Sequence, residues 1–413
     1  MGINEILSIT IVLAALFAYI NHRFIKWPPT IGIMILSLVT SLLLALLGSS
    51  QSLLSSKAVE LVSSIDFRDV LLNFMLSFLL FAGAIHIDAA KLRQEQLPVI
   101  VLATVGILIS TFVVGGLTWL LFGVFGLAVP FIYCLLFGSL ISATDPIAVL
   151  ALLKRAGIPS SLELKISGES LFNDGVAVVV FITIAEVANS GGADISILSV
   201  GKLFLQEAVG GLLFGAVLGY AGFLALRSID DYKVEVLITL AIVMGGYYVA
   251  GHLHVSGPLA MVVAGIITGN KARQDGMSDV SRDYLGKFWE LIDEILNAIL
   301  FLLMGLEVLI IKVDTTIMII GAISILTALV ARWISVALPV LFLRYTIKFE
   351  KNAIAILTWG GLRGGISVAL ALSLSSTMYR DEFVLITYMI VVFSILVQGL
   401  TIGKVATRLN RPV

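Results

Sequence analysis

The chain has 413 residues, 59% of them hydrophobic and 13% charged, with a mean hydropathy of +1.08 and a net charge of −1. A charged share roughly half that of an ordinary soluble protein cannot cover a folded chain, so lipid must solvate most of its surface. The near-zero net charge excludes a basic bias toward nucleic acid, and the single cysteine, Cys134, excludes an intramolecular disulfide framework.

A helix that crosses a membrane needs about 20 apolar residues. Gly, Pro and charge clusters divide the chain into thirteen such stretches: 4–22, 28–48, 70–87, 97–123, 129–153, 162–187, 203–226, 234–250, 257–270, 288–311, 314–343, 353–376 and 382–403. The opening MGINE lacks the basic start of a cleaved signal peptide, so the first run is expected to remain as a span. Residues 49–69 read as an amphipathic segment lying on the outer surface. The longest polar stretch, 271–287, is too short to fold alone. One transmembrane domain over 1–413, with no soluble regulatory domain, is therefore expected.

Charge tests this division. With the N-terminus outside, nineteen of the 26 Lys and Arg fall in inner segments and five in outer ones. Two more, Arg332 and Arg363, fall deep within spans, while Lys165, counted among the inner nineteen, lies in the first turn of the sixth span. Basic residues favour the cytoplasmic side, so the alternation predicts an outer N-terminus and a cytoplasmic C-terminus in a multi-pass, prokaryotic plasma-membrane protein.

Thirteen spans permit two inverted six-helix repeats joined by the seventh. The fifth span of each half is interrupted at a corresponding place, by SATDP at 142–146 and by WGGLRGGIS at 359–367. Pro146 lacks an N–H, which deprives the carbonyl of Ser142 of its helical partner. Gly360, Gly361, Gly364 and Gly365 weaken the helix around Arg363. Paired interrupted helices in two halves point to a transporter's binding site.

The sixth span begins GESLFNDGVAVV and carries Glu169, Ser170, Asn173 and Asp174. Glu169 and Asn173 are four apart, as are Ser170 and Asp174, so they share one helix face. Each intramembrane charge costs about 2.5–3.5 kcal/mol, which marks such residues as functional or paired. Thr144, Asp145, Ser170, Asn173 and Asp174 offer oxygen-bearing side chains, and freed carbonyls of a broken helix add more. This is a donor set for a hard monovalent cation. Burial disfavours the charged form of a carboxylate, so the same group can hold either a proton or a metal cation. Glu169 lies nearer the inner end and is expected to pair with a buried arginine. Spacing leaves Arg332 and Arg363 both open.

Other ionisable residues are expected in lesser roles. Glu307 is read as structural, Asp293 and Glu294 as lining the inner mouth, Glu235 as solvated, and His86, His252 and His254 as interfacial.

SATDPIAV, GESLFNDGVAVV and GGLRGGISVAL together resemble the monovalent cation:proton antiporter family, closest to the NhaP branch that includes the animal sodium/proton exchangers. The similarity runs from PPTIG at 28–32 to the last span. It implies a thirteen-helix all-α membrane fold, a homodimer and an elevator-like movement. The moving core would comprise roughly 70–187 and 288–403, and the dimer scaffold roughly 4–48 and 203–270. It implies Asp174 as the main cation and proton carboxylate, with Thr144, Asp145, Ser170 and Asn173 completing the site. It pairs Glu169 with Arg332 and identifies Arg363 as the family's arginine of the second broken helix. The transported ions would be Na⁺, Li⁺ or K⁺ and H⁺, the protein would not be an enzyme, and no cofactor is expected. One departure stands out: relatives carry an acidic residue in a pattern like LFEGG, where this chain has Ala82.

Three other classes make different demands on the sequence. An intramembrane protease would show GxGD, HExxH or a serine–histidine pattern, and none lies in the spans. A channel would pass current without proton counterflow, and a sodium-coupled carrier would need an organic substrate. A K⁺/H⁺ antiporter of the same fold is the alternative within the class.

Overall fold

The computed structural model describes residues 3–48, 53–145, 147–189, 197–275 and 277–409. Their regular structure is helical, with no strand among the described residues. In chain order the helices are α1 (Asn4–Ile25), α2 (Pro29–Gly48), α3 (Leu53–Ser63), α4 (Phe67–Ile85), α5 (Ala89–Gln94), α6 (Gln96–Val124), α7 (Phe131–Ser142), α8 (Ile147–Arg155) and α9 (Ser160–Asn189). They continue as α10 (Ile197–Arg227), α11 (Tyr232–His252), α12 (Gly257–Asp275), α13 (Asp279–Glu307), α14 (Thr315–Leu343), α15 (Ala353–Gly360), α16 (Gly365–Leu372) and α17 (Arg380–Leu409).

Among the described residues, nine helices are long and apolar enough to cross a membrane, or ten if the bent pair α15–α16 counts as one span. The other three expected stretches coincide with α7–α8, α12 and α13, which are shorter or more charged. Residues 53–63 form a helix, with Leu61 and Val62 buried against the body of the protein.

The helices pack in two groups. In one, α10 lies along α12, α4 along α12, and α13 along α2, with α1 and α11 beside them. In the other, α6 lies along α7, α14 packs on α17 and α6, and α16 packs on α17 and α7. Helix α9 stands between the groups, touching α7 on one side and α10 and α12 on the other. Side chains tie the first group together: the Tyr247 hydroxyl of α11 donates to the Leu72 carbonyl of α4 (2.6 Å), and Asn270 of α12 donates to the Ile87 carbonyl just past α4 (2.8 Å).

Both interruptions expected from the sequence are present. Helix α7 ends at Ser142 and α8 begins at Ile147, with Ala143 already out of the helix at φ −58° and ψ 141°. Pro146 itself lies outside the described residues. Helices α15 and α16 bend by 49° across residues 361–364. The two breaks touch, since the Asp145 N–H donates to the Leu362 carbonyl (2.8 Å).

Candidate functional site

The crossing of the two breaks brings α9 against them, and the polar face of α9 meets the first break. Glu169, Ser170 and Asn173 are all buried. Asn173 clamps Thr144: its side-chain amide donates to the Thr144 hydroxyl (2.6 Å), and its carbonyl oxygen accepts from the Thr144 N–H (3.3 Å). The Ser170 hydroxyl donates to the Thr144 carbonyl. These bonds replace the helical partners that residue 144 loses outside α7, as buried backbone groups require.

A cavity of about 450 Å³ opens beside this crossing. Thr144 and Asp145 of the first break and Ser170 and Asp174 of α9 line it, together with Asp293 and Asn297 of α13. Exposed Glu290, Glu294 and Lys154 stand in the same wall, so the cavity leads from solvent to Asp174. The Asp174 Oδ1 is shielded from solvent and has no hydrogen-bond partner among the described residues. A buried carboxylate oxygen without a donor is costly unless a proton or a cation occupies it.

The two arginines separate into different tasks. Arg332 of α14 forks onto Glu169: one terminal nitrogen binds Oε1, the other Oε2 at 3.1 Å, and Nη2 also donates to the Leu357 carbonyl at 3.1 Å. The pair is buried on both sides and lies outside the cavity lining. Arg363 reaches instead to the end of α7, donating to the carbonyls of Ser142 (2.8 Å) and Ala143 (3.0 Å). The carbonyls freed by the first break were expected to join the cation's donor set. Those of Ser142, Ala143 and Thr144 are instead engaged by Arg363 and Ser170.

Close approach explains two of the glycines. A Cβ on Gly361 would fall 2.9 Å from Cζ of Arg332, and one on Gly364 would fall 2.7 Å from Cβ and Oδ2 of Asp145. Flexibility was the expected reason for this cluster. The structure adds space for two charged side chains.

Some residues differ from expectation or were overlooked. Glu235 was expected to be solvated, but it is fully buried at the start of α11. Lys165 is also fully buried, bound to Glu350 at 2.9 Å and to Glu95 at 3.1 Å. It stands four residues before Glu169, so the spacing rule that joined Glu169 to Asn173 extends to it. Among the described residues no group of three or more His, Cys, Asp or Glu side chains is placed to hold a metal. Besides carboxylates, the cavity wall offers hydroxyl and amide oxygens.

A model of the family described as "Sodium/hydrogen exchanger, transmembrane" matches residues 11–408. The chain belongs to the sodium/hydrogen exchanger family. It is 50% identical over 415 residues to the Na⁺/H⁺ antiporter NhaP of Pseudomonas aeruginosa, covering 98% of this chain and 96% of that one. It is 34% identical over 394 residues to the Na⁺/H⁺ antiporter NhaH of Halobacillus dabanensis, covering 94% and 93%. Its fold matches the sodium proton antiporter MjNhaP1 from Methanocaldococcus jannaschii with a TM-score of 0.76 at 19% identity, over 98% of this chain and 97% of that one. Within this exchanger-family chain, Ala82 is buried in α4 and is not part of the cavity wall, whereas its neighbour Gly83 is.

Proposed function

We propose that this chain exchanges Na⁺ for H⁺ across the membrane, with Asp174 carrying one ion and then the other. The observation that carries the reading is the unpartnered Asp174 Oδ1 at the deep end of a cavity where two broken helices cross. The activity named for the relatives supports Na⁺ as the cation. Asp145, Thr144 and Ser170 would complete the cation's oxygen shell, and Asn173 would hold Thr144 in place. The ions are cargo, and the chemistry calls for no cofactor or catalytic step.

Exchange follows from competition at one carboxylate. A proton neutralises Asp174, and so does a monovalent cation, but both cannot occupy it together. Glu169 is committed to Arg332 and takes no part. Asn173 is neutral. If Asp145 keeps one state throughout, one proton moves per cation and the cycle is electroneutral.

We infer an elevator-type movement in which α6–α9 and α14–α17 travel against the remaining helices. The packing of α4 on α12 and of α13 on α2 supports placing both in the stationary set, although the sequence reading assigned them to the core. The distribution of basic residues supports an outer N-terminus in a prokaryotic plasma membrane, so the exposed Glu290 and Glu294 would face the cytoplasm. The paired breaks support two inverted repeats, and the sequence resemblance supports a homodimer.

Purified protein in liposomes tests the reading. Added Na⁺ should release protons, and an imposed membrane potential should leave the rate unchanged. Failure of any Na⁺, Li⁺ or K⁺ to move protons would sink the assignment. A rate that follows the potential, with leaks excluded, would sink one-for-one exchange and implicate Asp145.

A further inference from the structure

The cavity has a second oxygen-bearing wall, on α13, which the exchange chemistry above does not use. Asp293 and Asn297 are four residues apart, hence on one helix face, and both line the cavity across from Asp145 and Asp174. Asn297 is 2% exposed. Its side-chain nitrogen donates to the Asp293 carbonyl (2.8 Å), which fixes the amide's orientation, because a carbonyl can only accept. The opposite end, Oδ1, is therefore an acceptor, and it is buried with no hydrogen-bond partner among the described residues. A buried acceptor without a donor is costly unless something electropositive fills the space before it. Water or a cation can do so.

We propose that Asp293 and Asn297 form a second cation-holding station, which takes the transported monovalent cation on its way between solvent and Asp174. The inference rests on the antiport reading. Asp293 supplies the charge and Asn297 Oδ1 a neutral oxygen, a hard donor pair suited to Na⁺ or Li⁺ rather than to a soft metal. The station sits on α13 within the first packing group, whereas Asp174 is on α9, which stands between the groups. A cation passing from one to the other therefore crosses from α13, outside the packing group of α7, α14 and α16, to α9 at the broken-helix crossing. Exposed Glu290, one turn before Asp293, extends the same acidic wall toward solvent.

The test compares the apparent KM for Na⁺ from each face of the membrane, in everted and right-side-out vesicles holding the full-length protein. Asp293→Asn should raise KM about fivefold from the face onto which the cavity opens, the loss expected for one unit charge at about 4 Å in a watery site, and Asn297→Ala should raise KM from that same face. From the other face KM should hold within twofold, and maximal rates should stay near wild type. A purely structural role would lower the maximal rate or shift both faces alike, and either result overturns the proposal. So does an unchanged KM in both variants. Asp293→Glu keeps the charge and should restore most of the affinity. If Asp293→Asn fails to fold, Asn297→Ala and Asp293→Glu decide by the same comparison. Absence of sodium-driven proton movement in wild type would mark failure of the antiport reading instead.

Discussion

Arg363, in the break between α15 and α16, donates to the carbonyl of Ser142 at the end of α7. One broken helix thus satisfies the backbone of the other. Arg363→Ala should leave the Ser142 and Ala143 carbonyls buried without donors and cost about 1–3 kcal/mol for each uncompensated group. We expect a lower melting temperature and at least a tenfold loss of sodium-driven proton release. A variant with wild-type stability and transport would show that the contact does not hold the crossing together.

Glu169 and Arg332 form the buried bidentate pair. Removing one partner leaves an uncompensated charge, at about 3–5 kcal/mol. Glu169→Gln and Arg332→Gln should each lower thermal stability markedly. The double variant should lose less than the sum of the two, because residues in contact do not act independently. Strict additivity in a thermal double-mutant cycle would mean that the pair contributes no coupling.

Asp174→Asn keeps the shape of the side chain and removes its exchangeable charge. Transport should vanish while the purified protein still elutes and melts as wild type does. In wild type, acid should inhibit by filling Asp174 with protons, and higher Na⁺ should move that inhibition to lower pH. An inhibition curve indifferent to Na⁺ concentration would separate proton and cation sites.

Lys165 ties α9 to Glu95 and Glu350, and the Ser161 hydroxyl also donates to Glu350. Lys165→Met should cost about 2–4 kcal/mol, less than a fully buried pair because both glutamates keep some exposure. Burial pushes the Glu350 carboxyl up, but the hydrogen bonds from Ser161 and Lys165 outweigh it and hold the group below its ordinary value of 4.5. A carboxyl lowered on folding contributes stability that is present above its unfolded value and is lost as pH falls through the folded one. Wild type should therefore lose melting temperature more steeply than Glu350→Gln between about pH 5 and pH 3. Parallel curves would remove Glu350 as an acid-sensitive contact.

Gly364→Ala would drive a methyl group into Asp145, 2.7 Å from its Cβ and Oδ2. Overpacking of this kind costs about 1–3 kcal/mol. Here the strain falls on a cavity-lining carboxylate, so the apparent KM for Na⁺ should rise more than the melting temperature falls. An unaltered KM would show that Asp145 can move aside without consequence.

Composition and periodicity by themselves determined the solvent, the helical class and the polar face of α9. Those follow from short-range physics: lipid forces every backbone group into local helical bonds, and residues four apart must share a face. The breaks at SATDP and WGGLRGGIS were also legible, because Pro and Gly act on their own neighbours. Spacing alone could not choose between Arg332 and Arg363 as the partner of Glu169, since 163 and 194 residues separate them in sequence and only packing sets their distance. Nor could it show that Arg363 takes the carbonyls freed by the first break, that Glu235 and Lys165 are buried, or that Asn297 of α13 faces the cavity opposite Asp174. Each of these depends on which helix lies against which, and long-range packing decides that where every helix is similarly apolar.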